Sequence, residues 1–438
     1  MKMSVMSISW LCVLLMCGSG QVFAQLVSED FSFSADDAQA GDQLGWSIDV
    51  GAELIVVGAW NDDDNGPNSG SVYVFDRMSG AIVAKLLASD GSEGDVFGVS
   101  IAIGGGLIVV GARNTDEVGS NSGSAYLFDA RTGVELFKLV ADDAANEDRF
   151  GRAVGIDGGV VAVGSPLDDD GGASSGAVYL FDVSNGQQIA KIIAADGSAG
   201  DRFGFALAMD QGELVVGAYH DQENGVESGS VYVFDIPTRV QTQKIVPVDG
   251  TDNGVFGRTI DVVGGKIVIG AADKAYLYDA TSGEKLFDLI ASDDVSGADF
   301  GNSVSIDERF AVVGASFSSE LGFGSGSAYV FDVGNGTQHA KLVKSDGEGL
   351  DFFGISVGVR DQVIGVGALG DDGVGSSSVF DFQCPADLSG DGELNFFDVS
   401  AFLELFAEQS PEADFNGDTR FNFFDVSAFL EEFAAGCP

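Results

Sequence analysis

Two twelve-residue segments near the C-terminus carry oxygen-bearing side chains at matching positions. The first runs from Asp387 to Asp398, and the second, 27 residues later, from Asp414 to Asp425. Each has such side chains at positions 1, 3, 5 and 12. Ca²⁺ takes six to eight oxygen ligands, and this spacing lets one stretch of chain wrap around one ion. A chance acidic loop does not account for the duplicated spacing, so the sequence predicts two calcium sites.

The predicted ligands follow from that spacing. They are Asp387, Ser389, Asp391, the carbonyl of Glu393 and Asp398 in the first loop, and Asp414, Asn416, Asp418, the carbonyl of Arg420 and Asp425 in the second. Asn395 and Asn422 could each hold a bridging water molecule. The loops differ at position six, where Gly392 allows the positive φ that the turn needs and Thr419 does not. The geometry and affinity of the second loop are therefore left open.

The residues after each loop have the apolar spacing of a helix. Val399, Phe402, Leu403 and Phe406 fall at i, i+3, i+4 and i+7, and Val426, Phe429, Leu430 and Phe433 repeat the pattern. This periodicity predicts two short amphipathic helices that pack face to face. Leu394 and Phe421 are expected to lie between the loops.

With Asp at position 12 and one helix per loop, segment 384–438 resembles a dockerin more than a pair of EF-hands. That resemblance implies Ca²⁺-dependent anchoring to a cohesin-like partner or to a cell surface. Dockerins often recognise partners through small polar residues at loop positions 10 and 11. Here Phe396-Phe397 and Phe423-Phe424 stand at those positions, so the partner need not be a cellulosomal cohesin. Some of these four rings could belong to the core, and a partly exposed one is expected to anchor a partner.

The first 24 residues have the composition of a secretory signal peptide. Lys2 precedes an apolar run from Ile8 to Cys17, and Val22-Phe23-Ala24 ends the segment. Cleavage there leaves Cys384 and Cys437 as the two cysteines, at either end of the C-terminal segment. In a secreted, extracellular and possibly surface-associated protein, a disulfide between them is the natural expectation.

A 53-residue period organises most of the remaining chain. Each unit opens on Phe-Gly or Leu-Gly, continues with a Val-Gly-Ala step, and then has a Val-Tyr-Val-Phe-Asp run such as Val72–Asp76. The glycines of the opening pairs are Gly45, Gly98, Gly151, Gly204, Gly257, Gly301 and Gly354. Four short β-branched runs in each unit, separated by Gly, Asp, Asn and Ser, predict four antiparallel strands. Seven such sheets avoid exposed edges by closing into a ring.

The ends of the chain favour that ring. The seventh unit stops at Asp381 without a fourth strand, while Phe31-Ser-Phe-Ser aligns with the fourth strand of other units. The repeats resemble the FG-GAP repeat of integrin alpha-chain propellers. We therefore predict a mostly β protein: residues 1–24 are a signal peptide, 25–383 form a seven-bladed β-propeller of four-stranded blades closed by an N-terminal strand, and 384–438 form a small α-helical calcium-binding module.

The resemblance places no ion in the propeller. Calcium-binding FG-GAP blades carry an Asp-rich loop between the Phe-Gly strand and the Gly-Ala strand. In this chain that turn is short, as in Gly51-Ala52-Glu53 and Gly104-Gly105-Gly106.

Half of the 68 acidic residues fall in the blade connectors and in the loops between second and third strands. In a four-stranded meander these two kinds of loop lie on the same face. The resulting acidic rim includes Asp62, Asp63, Asp64, Asp168, Asp169, Asp170, Asp371 and Asp372. One interpretation is that these residues make turns and keep the protein soluble. The other is a ligand face that attracts cations or a basic partner. The fifth unit lacks this loop between Ala271 and Lys274, which predicts a notch in the rim.

The formal charge of −47 disfavours nucleic acid and anionic membranes as partners. The sequence has no catalytic signature: His220 lies in an acidic loop and His339 in a strand, and both are expected to be structural or exposed. We therefore predict a non-catalytic recognition protein whose propeller binds a protein or a glycan. The alternative is a component of polysaccharide degradation, such as a glycoside hydrolase using paired loop carboxylates.

Overall fold

The computed structural model describes residues 25–35, 37–248, 252–293, 295–382, 384, 386–389, 394–415 and 420–435. Its strands form seven sheets, six of four strands and one of five. The innermost strands of successive sheets contact one another in cyclic order, and the seventh contacts the first. The predicted seven-bladed propeller is therefore confirmed.

Each blade is an antiparallel meander whose first strand lies next to the central channel. Blade 1 contains β3 (Leu44–Val50), β4 (Leu54–Ala59), β5 (Ser71–Asp76) and β6 (Ile82–Leu86); blade 2 contains β7 (Ser100–Gly104), β8 (Leu107–Ala112), β9 (Ser124–Asp129) and β10 (Glu135–Leu139); blade 3 contains β11 (Ala153–Asp157), β12 (Val160–Ser165), β13 (Ala177–Asp182) and β14 (Gln187–Ile192); blade 4 contains β15 (Ala206–Asp210), β16 (Glu213–Ala218), β17 (Ser230–Asp235) and β18 (Val240–Ile245).

The last three blades follow the same order. Blade 5 contains β19 (Thr259–Val263), β20 (Lys266–Ala271), β21 (Lys274–Asp279) and β22 (Lys285–Leu289); blade 6 contains β23 (Val304–Ile306), β24 (Phe310–Ala315), β25 (Ser327–Asp332) and β26 (Gln338–Val343); blade 7 contains β27 (Phe353–Arg360), β28 (Val363–Ala368) and β29 (Ser376–Asp381). In blade 5 only two residues join β20 to β21, which confirms the predicted loss of a loop.

The N-terminal segment closes the ring in two places. Strand β2 (Phe31–Phe33) pairs antiparallel with β29 as the fourth strand of blade 7, with Phe33 opposite Ser377. This confirms the predicted closure. Strand β1 (Gln25–Ser28) adds a fifth strand to blade 6, parallel to β26, which the sequence did not predict. One short segment thus ties the last two blades together.

The Phe of each Phe-Gly pair packs between blades. Phe97, in the connector from blade 1 to blade 2, meets Tyr126 and Phe128 of β9 edge-on at ring-centroid distances of 5.5 and 5.8 Å. The same core includes Val72 and Val74 of blade 1. Because it contacts both blades, this repeated residue joins them. Burying its side chain contributes about 1.5–3 kcal/mol to stability.

The repeated glycines allow backbones to approach closely. A Cβ on Gly123, which has φ +86°, would lie 2.0 Å from the carbonyl oxygen of Phe150, and one on Gly111 would lie 2.0 Å from that of Gly151. The Ser100 hydroxyl donates to the same Gly151 carbonyl at 2.9 Å. The repeat therefore requires glycine where one blade touches the next.

Two helices follow the propeller: α1 (Phe396–Glu408) and α2 (Phe423–Ala435). Single 3₁₀ turns occupy Asp371–Gly373 and Pro411–Ala413. Phe402 of α1 and Phe429 of α2 stack with centroids 4.2 Å apart, so the helices pack face to face as predicted. Leu394 and Phe421 pack against this core. No helix within the described ranges is long and apolar enough to span a membrane.

The prediction for Leu403 and Leu430 was wrong, because both side chains are more than half exposed. Leu405 packs against the core on α1 instead. The residues that face the core on α1 are therefore Val399, Phe402, Leu405 and Phe406.

Candidate functional sites

The described part of the first calcium loop brings predicted ligands together. The Asp398 carboxylate is fully buried and accepts hydrogen bonds from the backbone N–H groups of Ser389 (2.9 Å) and Asn395 (2.8 Å). The Ser389 hydroxyl lies 3.4 Å from Oδ1 of Asp387. Burial raises the pKa of Asp398, but these hydrogen bonds outweigh it and hold the pKa below its ordinary value. The carboxylate is therefore ionised at neutral pH.

The second loop repeats this arrangement at its helical end. Asp425 is fully buried and accepts a hydrogen bond from the backbone N–H of Asn422 at 2.7 Å. The side-chain oxygens of Asn395 and Asn422 accept from the N–H groups of Phe397 and Phe424, so both asparagines cap their helices. The two loops therefore end in the same local structure, with a buried carboxylate at position 12.

Several predicted residues lie outside the described residues. They are Asp391, Glu393, Asn416 and Asp418 among the ligands, Gly392 and Thr419 at position six, Cys437, and residues 1–24. The signal peptide and the pairing of Cys384 with Cys437 therefore stay predictions. Asp387, Ser389, Asp398, Asp414, Arg420 and Asp425 are described.

The described ligands fit a calcium ion chemically. The side chain of Asp387 is only 6% exposed, and its nearest Arg309 nitrogen is 4.0 Å away. Buried carboxylates are costly unless they are paired or coordinate a cation. A hard cation held by Asp387, Ser389 and Asp398 is consistent with this burial.

All four phenylalanines at loop positions 10 and 11 are exposed. The exposed fractions are 75% for Phe396, 67% for Phe397, 75% for Phe423 and 68% for Phe424. Each pair opens a helix. None of the four joins the core, so the module presents two matching pairs of exposed rings.

On the propeller, acids of the rim surround a lysine. In blade 3 the Lys191 ammonium contacts Asp143 of the incoming connector at 2.9 Å, and Asp168 and Asp170 of the loop after β12 at 2.8 and 2.6 Å. Tyr179 donates to Asp168 at 2.7 Å and lies below the ammonium. These three carboxylates are close enough to hold a metal ion, but the lysine occupies their centre. The connectors and these loops therefore lie on one face, here called the loop face.

This lysine cluster recurs in other blades. The central lysines are Lys85, Lys138, Lys191, Lys244 and Lys341, each beside a tyrosine of the neighbouring strand. Blade 5, which lacks the loop, has Asp288 opposite Tyr276 where the others have lysine. Lys285 lies 5.2 Å from the Tyr276 ring centroid there and pairs with Asp288 at 2.7 Å. Among the described residues, the blade without the loop thus keeps a lysine near its tyrosine but not the loop carboxylates around it.

The remaining rim acids have local roles. Asp62 and Asp64 contact Lys85 at 3.0 and 2.7 Å. Asp63 and Asp169 accept from backbone N–H groups within their own loops. Asp371 pairs with Lys344 at 3.1 Å, and Asp372 adopts φ 49° in the following turn. The two histidines contact aromatic rings: His220 meets Tyr219 edge-on, and His339 lies between Phe310 and Phe382.

The central channel encloses about 960 Å³ and contains groups that the sequence did not single out. Asp49 and Asp261 line it at equivalent positions of β3 and β19, five residues after the Leu or Phe that opens each repeat. Burial raises the pKa of Asp261 to about 7, and the charge of Asp49 adds to that shift. Aligning the repeats could have found them, because Ala, Gly or Ser occupies this position in the other blades.

The protein is thus a seven-bladed β-propeller built from sequence repeats, closed by an N-terminal strand and with a lysine cluster in most blades. A family model described as FG-GAP repeat matches residues 27–75, 82–128, 134–181, 187–234, 286–331 and 337–380. These stretches cover more than half of the chain, so the protein belongs to the FG-GAP repeat family. The unmatched stretch 235–285 includes the first three strands of blade 5, which lacks its loop. Propellers of this family are typically non-catalytic binding domains.

Among solved structures, one with a TM-score above 0.5 supports the fold alone. A chain in a crystal structure of the mitotic checkpoint complex has a TM-score of 0.54 at 13% identity, covering 86% of this chain and 98% of its own length. A computationally designed protein, Ika8, has a TM-score of 0.48 at 14% identity, covering 82% of this chain and 100% of its own. No curated protein matches the chain in sequence.

Proposed function

We propose that this is a secreted, non-catalytic recognition protein that is anchored through its C-terminal module in a Ca²⁺-dependent manner. The observation that carries the proposal is the pair of exposed phenylalanines at the start of each helix, directly after each predicted calcium loop. Exposed aromatic residues of this kind are typical binding anchors. The anchoring partner is a cohesin-like or cell-surface protein.

Calcium would act through the loop ends. Asp398 and Asp425 are buried at position 12, and the asparagine caps that precede them position Phe397 and Phe424. An ion bound by the loops would neutralise these carboxylates and hold both helix starts in place. Partner binding is therefore expected to require calcium.

The proposal is tested with the full chain immobilised and exposed to the secreted and surface proteins of its source, with calcium or with a chelator. A partner should be captured only with calcium. The double variant Asp398→Asn, Asp425→Asn should lose capture, and so should Phe397→Ser, Phe424→Ser. The control Leu403→Ser, which changes an exposed apolar residue elsewhere on α1, should retain it. Capture that survives chelation, or that ignores the phenylalanine variant, would contradict the proposal.

A catalytic role has less support in the geometry. The loop carboxylates Asp62, Asp64, Asp168 and Asp170 contact lysines, and the arrangement recurs from blade to blade. A general acid and a nucleophile need two carboxyl groups with different pKa values at one site. Cleavage of soluble glycans that is abolished by a single loop Asp→Asn substitution would overturn the non-catalytic assignment.

A further inference from the structure

A group of arginines lies on the loop face, around the ends where the inner strands begin and beyond the residues that line the channel cavity; this end of the ring is called the mouth. Arg152 and Arg258 enter the inner strands of blades 3 and 5, Arg149 and Arg202 precede the Phe-Gly pairs of blades 3 and 4, and Arg113 follows β8. Arg152 is close enough to Arg113, Arg149 and Arg258 that their charges repel it. Burial, together with these neighbours, lowers the pKa of Arg152 to about 9. Cations are thus gathered at one point of a strongly acidic protein.

Aromatic rings border the arginines. The Arg152 guanidinium lies 3.9 Å from the ring centroid of Phe205, which lies 4.2 Å from that of Tyr219. On the other side, Trp46 and Trp60 stack at 4.4 Å, and Arg113 lies 5.8 Å from the Trp60 ring. All four rings are partly exposed. The mouth therefore combines guanidinium groups with flat apolar surfaces.

Four of these five arginines have no carboxylate partner within the described residues, and one of the four, Arg202, donates to the Tyr219 hydroxyl instead. No acid there lies within salt-bridge distance of Arg113, Arg149 or Arg152, whereas Arg258 pairs with Asp299 at 2.8 Å. The buried Nε atoms of Arg113 and Arg149 have no hydrogen-bond acceptor. Leaving a buried donor without an acceptor is unfavourable. In a chain with 68 acidic residues, this is an arrangement that a bound anion would complete.

We propose that this arginine cluster binds the carboxylate of a uronic acid residue at the end of a saccharide chain. A guanidinium pairs with a carboxylate through two parallel hydrogen bonds. The rings of Trp46, Trp60, Phe205 and Tyr219 can accept the apolar face of the sugar. The inference rests on the proposed role of the propeller as a binding surface, and it does not depend on the C-terminal module.

The charge around the cluster favours a ligand with a single acidic group there. The acids of the rim surround the mouth, so a long polyanion would be repelled along most of its length. A terminal uronate places one negative charge at the arginines and neutral hydroxyl groups elsewhere. An acidic peptide offers the carboxylate without a ring to cover the aromatic surfaces.

Titration calorimetry of the full chain tests the proposal with matched probes: D-galacturonate against D-galactose, and N-acetyl-aspartate amide against the corresponding asparagine derivative. Galacturonate should bind and galactose should not. Arg152→Gln and Arg113→Gln should each weaken binding by about tenfold. Arg131→Gln, an exposed arginine in the turn after β9, should leave affinity unchanged.

The measurements separate the possible outcomes. Equal binding of galactose, binding of the aspartate derivative alone, absence of binding, or unchanged affinity in both arginine variants would each overturn the proposal. Should Arg152→Gln fail to fold, Arg113→Gln and the expected loss of affinity at high salt still decide it. Calcium-dependent partner capture by the arginine variants should stay at the wild-type level, so a failure here is distinct from a failure of the anchoring proposal.

Discussion

At the scale of the residue, the position of Asp261 in the ring determines its hydrogen bonds and its pKa. It faces the channel, where its oxygens accept hydrogen bonds from the Ser305 hydroxyl and the Ile306 N–H of the next blade, both at 2.9 Å, and from Val262 N–H at 2.8 Å. These bonds lower its pKa, but burial raises it more. The side chain therefore ties two blades together while holding its proton to near-neutral pH.

We expect this group to make the protein less stable as pH rises from about 4 to 7. Over that range the folded state keeps a proton that the unfolded chain has released, so the free energy of unfolding falls with pH. Asp261→Asn has no such proton. Between pH 4 and pH 8, the free energy of unfolding of the variant should therefore rise by about 1–3 kcal/mol relative to that of wild type.

Urea denaturation at several pH values measures this difference. Asp235→Asn is the control. Hydrogen bonds from Thr238 lower the pKa of the exposed Asp235 carboxyl, so it is ionised above pH 5 in the folded and in the unfolded protein. Its offset from wild type should be constant between pH 5 and 8. A constant offset for Asp261→Asn as well would show that the shift is absent.

The loop between the second and third strands decides, at the scale of the element, which carboxylates surround the lysine of a blade. Where it is present, its carboxylates and the connector acid enclose a lysine from the fourth strand. Burial alone would lower the pKa of Lys191, but hydrogen bonds to Asp143, Asp168 and Asp170 raise it well above its ordinary value. This lysine is thus fully charged and neutralises the loop from within.

Removing that ammonium should expose the repulsion among its carboxylates. We expect Lys191→Met to lower the free energy of unfolding by about 1–3 kcal/mol in the presence of a chelator, because an acid cluster is left without its cation. Millimolar calcium should recover part of the loss, since the three carboxylates lie close enough to bind an ion.

Lys285→Met in blade 5 is the matched control for urea denaturation with and without calcium. Lys285 contacts one carboxylate, that of Asp288, in the described part of the chain. Its loss should be smaller, and its response to calcium should equal that of wild type. Equal losses in the two variants would refute a special role for the three-carboxylate cluster.

At the scale of the whole molecule, closure of the ring depends on a few N-terminal residues. Phe33 is 7% exposed and stacks on Phe75 of blade 1 at 4.0 Å, while its strand completes blade 7. It therefore joins the first and last blades. A propeller opened at this point would expose an unpaired strand edge.

Phe33→Ala should lower the free energy of unfolding by about 2–4 kcal/mol, through lost burial and the cavity left between the two blades. Ser32→Ala, an exposed neighbour on the same strand, should change it by less than about 0.5 kcal/mol. Thermal or urea unfolding of the full chain compares the two. If they unfold at the same midpoint, β2 does not close the ring energetically.

Much of this architecture could be predicted because it is repeated. The spacing of Phe-Gly and Gly-Ala fixes where strands begin and where blades touch, and the missing fourth strand of the last unit points to the N-terminus. The fifth strand contributed by Gln25–Ser28 could not be predicted, because a parallel edge pairing has no periodic signal. Leu403 and Leu430 were misplaced because helical spacing does not show how wide the contact with a neighbour will be.

The sequence by itself determined the number of blades, the closing strand, the duplicated oxygen-bearing loops and the helices that follow them, since each depends on spacing along the chain. Only the tertiary structure decided what the charges do. It placed a lysine among the rim acids of blade 3 and gathered Arg113, Arg149 and Arg152 at the channel mouth. These residues lie in different strands and loops, and electrostatic energy depends on distance in space, which no linear pattern records.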